Sequence, residues 1–193
     1  MVGNVIRSAM SFLGSRLMPA SPATVFRLYL LRHAKAAWAL PGQKDFDRAL
    51  DDAGFAQAEI VADMAADRGL VPDLVLCSTA FRCRQTAEAL RRAMKEDLDI
   101  RCLDALYAGG ANIYRDIIGG QDGTLSSLMV VGHNPAIEEV LRETLGEEAT
   151  AEAMPGGYPP GALAVIDFDK RPSDGALPPG KLILWLDPDS HNR

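Results

Sequence analysis

The 193-residue sequence is poor in cysteine, in histidine and in basic charge. Its three cysteines, Cys77, Cys83 and Cys102, form an odd set without a CxxC pair, so neither a disulfide framework nor a zinc site is indicated. Free thiols make a reducing, cytoplasmic setting the expected location. Twenty Lys and Arg stand against 26 Asp and Glu, giving a formal charge of −6 and a pI near 5.1. A nucleic-acid surface needs clustered basic residues, so no nucleic-acid partner is expected. No apolar run is long enough to cross a bilayer, and no membrane partner is expected either. Residues 1–25 carry Arg7 and Arg16, several serines and no acidic residue, without a credible signal-peptide core and cleavage site. They read as a disordered or wrongly assigned N-terminal extension, with Met18 an alternative start, ahead of a single domain spanning 26–193.

What is present is the material of one core: 48% of residues are hydrophobic and 24% charged. Strand-length apolar runs occur at Phe26–Leu31, Leu74–Cys77, Ile100–Leu103, Leu128–Val131, Ala162–Phe168 and Leu182–Leu186. Most are too continuous for a surface strand and read as buried. Between them lie helical spacings: Ile60, Val61, Met64 and Ala65; Cys83, Ala87, Leu90 and Met94; Ile113, Tyr114, Ile117 and Ile118; Ile137, Val140, Leu141, Thr144 and Leu145. The last set is bracketed by Asn134 as N-cap, Pro135 at the first helical position and Gly146 just past the end. Alternating strands and helices predict an α/β three-layer sandwich, with a mostly parallel central sheet flanked by helices. A final hairpin-like pair of strands across Asp169–Gly180 closes it.

Ligands of such sheets collect beyond the carboxyl ends of the strands. Of three histidines, His33 and His133 follow directly on predicted strands, while His191 lies in the tail. Arg32 precedes His33, and His133 leads into a helix whose first N–H groups favour an anion. Arg82 opens another helix after the strand ending at Cys77. Two imidazoles and two guanidinium groups at one sheet end suit a phosphoryl group: neutral imidazole is a nucleophile, and arginine grips equatorial oxygens in bidentate fashion. Taken singly, each residue has a structural reading as well, as a hydrogen-bonded strand-end histidine or part of a solvated helix face.

Four ordered blocks carry a resemblance. They are Leu31-Arg32-His33-Ala34-Lys35; Asp45-Phe46-Asp47-Arg48-Ala49-Leu50 with Gly54 and Gln57-Ala58; Ser78 to Ala87 around Arg82; and Val131-Gly132-His133-Asn134-Pro135, with Pro160-Gly161-Ala162-Leu163 following. From about Leu28 to Trp185 the chain resembles the histidine phosphatase superfamily, and in particular its small SixA-like phosphohistidine phosphatase branch. The resemblance implies a phosphoglycerate mutase-like fold and no cofactor or metal. It implies His33 as the phosphorylated nucleophile, Arg32 and Arg82 as phosphate clamps, and His133 as the group that stabilises the transferring phosphoryl.

The chain departs from that pattern at Ala34, where many members have glycine, and at Ala36, where a hydroxyl residue often follows. Larger members place a glutamate as proton donor after the third strand. Here Asp104 is the nearby carboxylate, and it reads more readily as a solvated loop residue. Lys35 and Trp38 can border the cleft, and the Asp45, Asp47, Arg48 cluster reads as support for the following helix. The short connection from Arg82 to His133 leaves no room for a large lid, as a mutase would need. The leading expectation is therefore a metal-independent phosphatase with a phosphohistidine intermediate, acting on a phosphorylated protein. A phosphatase of small phosphorylated molecules and a non-catalytic phosphate-binding module are the alternatives; no oligomeric state is assigned.

Overall fold

The structure is a computed structural model that describes residues 24–94 and 98–192. The expectation for the N-terminal extension falls on residues almost wholly outside that range. Six strands form one sheet: β1 (Phe26–Arg32), β2 (Leu74–Ser78), β3 (Ile100–Leu103), β4 (Ser127–Gly132), β5 (Leu163–Phe168) and β6 (Lys181–Leu186). Their order is β3-β2-β4-β1-β5-β6. The first four are parallel, and β5 and β6 are the antiparallel pair expected at the end of the chain.

The period of two along the strands sorts the core into two layers. Tyr29, Leu31, Val75, Cys77, Met129, Val131, Leu163 and Val165 face α1 (Asp52–Asp67) and α2 (Phe81–Met94). Leu28, Leu30, Leu74, Leu76, Leu128, Val130, Ala164 and Ile166 face α4 (Ala111–Gly119) and α5 (Ala136–Leu145). Two short helices, α3 (Ala105–Ala108) and α6 (Glu147–Ala153), complete that second side of the chain path. Each fully buried Leu or Ile contributes about 1.5–3 kcal/mol, so the continuous apolar runs of β1, β4 and β5 are what hold the sandwich together. The α/β three-layer architecture expected from the alternating pattern is the observed one, and it is the phosphoglycerate mutase-like arrangement that the resemblance implies.

Two local expectations are corrected. Ile100–Leu103 and the last strand are edges, partly exposed rather than buried. An edge strand has a neighbour on one side only, and its apolar composition does not distinguish it from a central strand. The helix after β4 begins at Ala136, with Pro135 in the N-cap position and a cis Asn134–Pro135 bond. Asn134 does not cap it: its Oδ1 is buried without a hydrogen-bond partner among the described residues, while its Nδ2 donates to Glu138 Oε2 (2.9 Å) and Tyr158 O (3.4 Å). Gly146 ends the helix as expected.

Candidate active site

Parallel register brings the two histidines together. Arg32 of β1 pairs with Gly132 of β4, so His33 and His133 each stand one residue beyond the same rung, and the His33 N–H donates to Gly132 O (3.0 Å). The ring centroids lie 5.1 Å apart. Gly132 is required by close approach: a Cβ there would lie 2.3 Å from the Tyr114 hydroxyl. That hydroxyl accepts from the His133 N–H (3.1 Å) and donates to Leu106 O (2.8 Å), fixing the start of the β4 loop.

The loop after β1 is anchored residue by residue. Gly161 N–H donates to Arg32 O (3.2 Å) and His33 O (3.1 Å), Ala34 N–H to Thr86 Oγ1 (3.1 Å) and Lys35 N–H to Gln57 Oε1 (3.0 Å). Helix α1 starts hard against it. Asp51 caps that helix by accepting from Gly54 N–H (2.7 Å), and a Cβ on Gly54 would lie 1.9 Å from Lys35 O. The nucleophile candidate is thus carried on backbone with its polar groups engaged on several sides.

The hydrogen bonds assign the His33 tautomer. Nδ1 lies 2.7 Å from Ala34 O, a pure acceptor, so Nδ1 carries the proton. Nε2 then offers a lone pair, and it accepts from Arg82 Nε (3.2 Å). Burial lowers the His33 pKa to about 3; the Ala34 bond opposes this, while His133, Arg82 and Arg32 reinforce it. Burial, followed by the Arg82 charge, lowers His133 to about 4. Both rings are neutral near pH 7. His133 Nε2 is 2.8 Å from Ser78 Oγ and its Nδ1 accepts from Arg82 Nη2 (3.3 Å).

Arg82 is buried on the first turn of α2, and a carboxylate aims it. Its Nη1 donates to Asp45 O (2.8 Å) and its Nη2 to Asp45 Oδ2 (3.0 Å), which turns the Nε edge toward His33. Asp45 also accepts from Arg48 Nη1 (2.8 Å) and from the Tyr107 hydroxyl (3.3 Å). Arg48 first, then Arg82, hold its carboxyl below the usual range. Tyr107 stacks edge-on to His133 at 5.8 Å and to Phe46 at 5.0 Å. Arg32 donates through Nη1 to Tyr158 O, while its buried Nε has no hydrogen-bond partner among the described residues. Arg32, His33, Lys35, Ala36, Arg48, Arg82 and Pro160 surround a cleft of about 310 Å³, with Trp38 at its mouth.

The structure therefore brings Arg32, His33, Arg82 and His133 to one place. Asp104 is elsewhere in character: it is exposed, starts α3 and makes no side-chain capping bond. Asp45 and Arg48, expected as support for the next helix, instead aim Arg82 within the site, and Tyr107 and Ser78, for which the sequence pattern implies no role, join them there. Asp45 and Arg48 flank a single 3-10 turn (Asp45–Asp47), and their three-residue spacing was the available signal. Nothing local marks Tyr107 or Ser78, which reach His133 through the sheet order.

Known proteins resemble the chain in sequence and in fold. The family model for the histidine phosphatase superfamily (branch 1) matches residues 28–107. A candidate phosphohistidine phosphatase SixA from Agrobacterium tumefaciens is 45% identical, with TM-score 0.77 over 86% of this chain and 99% of that one. Another, from Nakamurella multipartitia, is 29% identical, with TM-score 0.72 over 87% and 99%. An uncharacterized protein of Mycobacterium tuberculosis is 31% identical over 140 residues, 70% of this chain and 85% of its own length.

Proposed function

The chain belongs to the histidine phosphatase superfamily, and from that premise we propose that it is a metal-independent phosphatase of phosphorylated histidine on proteins, working through a phosphohistidine on His33. The observation that carries the reading is the polarity of one ring. Nδ1–H is held by Ala34 O while the Nε2 lone pair faces Arg82, the place a phosphoryl group would take.

In the first step the Nε2 lone pair attacks phosphorus in line, the P–N bond to the substrate breaks, and its electron pair leaves with the substrate nitrogen. A phosphoimidazole protonated on its distal nitrogen departs as neutral imidazole, so the leaving atom needs no proton donor. This matches a site in which Asp45, the carboxylate hydrogen-bonded to Arg82, is kept ionised by Arg48 and Arg82. Arg32 and Arg82 supply the positive charge around the equatorial oxygens, a role elsewhere filled by cations. The arriving phosphoryl charge favours protonation of His133, converting Nδ1 from acceptor to donor.

In the second step water attacks the phosphorus of phosphorylated His33. Nδ1–H stays on the Ala34 bond throughout, so the P–Nε2 electron pair returns to the ring and restores the starting tautomer. The proton of the attacking water stays on the phosphate or passes to bulk solvent.

The test is relative turnover. Purified protein should release phosphate from a histidine-phosphorylated protein faster than from sugar phosphates or nucleotides, with inhibition by vanadate and none by chelators. A metabolite hydrolysed far faster would overturn the substrate class, and strict dependence on an added divalent metal would overturn the mechanism.

A further inference from the structure

Six large apolar side chains are substantially exposed among the described residues, and the two most exposed, Trp38 and Leu40, stand on the loop that borders the cleft. Trp38 (91% exposed) and Leu40 (70%) project from the loop after His33. Single exposed apolar residues are ordinary, but a tryptophan and a leucine both held out on the loop that borders this cleft are not. Nor is the Trp38 loop slack. Ala37 N–H donates to Ala49 O (2.9 Å), Arg48 Nε to Ala37 O (2.8 Å) and Leu40 N–H to Gln43 Oε1 (3.0 Å). An indole is thereby held out in water on a braced loop.

We infer that Trp38 and Leu40 dock a protein substrate and select it over small phosphorylated donors. The inference rests on the phosphatase reading above and adds the surface that meets the partner. Three observations commit the surface to a phosphoprotein. A histidine side chain is short, so a phosphorylated histidine reaching His33 brings its own backbone against the rim and lays neighbouring side chains on Trp38 and Leu40. The two cations that line the cleft beside Trp38 are already partnered, Lys35 with Asp51 (3.3 Å) and Arg48 with Asp45 (2.8 Å), so at that point the indole is the group left to meet an arriving molecule. Finally, Arg32, Lys35, Arg48 and Arg82 outnumber the carboxylates they contact, Asp45 and Asp51, which complements an anionic group carried on that partner. Aromatic side chains at the middle of an interface carry a large share of binding energy.

The experiment compares the full chain with its W38A/L40A double variant on two donors: a folded phosphotransfer domain phosphorylated on histidine, and phosphoramidate. The expected result is a fall in kcat/KM for the domain, carried by KM, that exceeds any fall on phosphoramidate by about tenfold or more. Equal loss on both donors, or no loss on the domain, overturns the docking surface. Sedimentation of both proteins is the companion measurement: a wild-type dimer that the double variant abolishes assigns the patch to self-association and also overturns it. Failure of the wild type on both donors would instead overturn the phosphatase reading, so the two failures are distinguishable.

Discussion

Two hollows lie on either side of the Tyr158–Gly161 segment, with Pro159 lining one and Pro160 the other. The hollow beside β6 is the larger, about 470 Å³ against about 310 Å³, and it is lined by Met154, Trp185, Asp187 and Asp189. The smaller holds His33, Arg32, Arg48 and Arg82. Volume does not choose between them; charge does. Carboxylates repel a phosphoryl dianion where guanidinium groups attract it, and partial burial strengthens both effects. The larger hollow still serves the smaller one. Asp189 accepts from Gln57 Nε2 (3.0 and 3.1 Å), and the other end of the same amide holds the Lys35 N–H. One is read as the reaction site, the other as its buttress.

The sharpest way to break this comparison is to remove the nucleophile. His33→Ala should cut turnover by about a thousandfold or more, while Asp187→Ala in the larger hollow should stay near wild type. Steady-state phosphate release checks both, and a large loss in the second would erase the distinction. Next in size, Arg82→Ala should cost about 10²–10³ in kcat/KM, and Arg82→Lys should recover little, because an ammonium cannot reproduce the fork between His33 and Asp45.

A third prediction uses pH. His33 and His133 titrate near 3 and 4 in the folded protein, below the ordinary 6.5. The unfolded chain therefore binds more protons between those values, and stability must fall as pH drops from about 6.5 toward 4. Thermal unfolding should show that slope, and His33→Asn should reduce it to the share left by His133; an unchanged slope would contradict the buried neutral ring. The smallest effect is expected from Asp189→Asn, a severalfold rate loss with intact folding, which would tie the buttress to the nucleophile loop.

The strands were legible because buried runs of Leu, Ile and Val have few other places to go, and His33 and His133 were legible because each ends such a run. The α/β class followed from alternation. Pairing order was not legible: nothing in Phe26–Arg32 says that its parallel neighbour is Ser127–Gly132, yet that pairing sets the two imidazoles 5.1 Å apart. Tyr107 and Ser78 are long-range by the same rule. The Asp45 cluster was visible as a cluster, but its aim at Arg82 depends on how the turn packs across α2. Asn134 shows the opposite error, since a good N-cap residue stands one place before the observed cap, Pro135, and makes its hydrogen bonds through Nδ2 to Glu138 and Tyr158.

The central claim is that His33 Nε2 is the atom that receives the phosphoryl group. The direct measurement is to mix the full chain with a labelled phosphodonor, quench within the first turnover and map the label. The account predicts acid-labile, base-stable phosphate on the peptide containing His33, absent from His33→Ala. Phosphate on another side chain, or turnover with no trapped label in a quench fast enough to capture the first step, would contradict it.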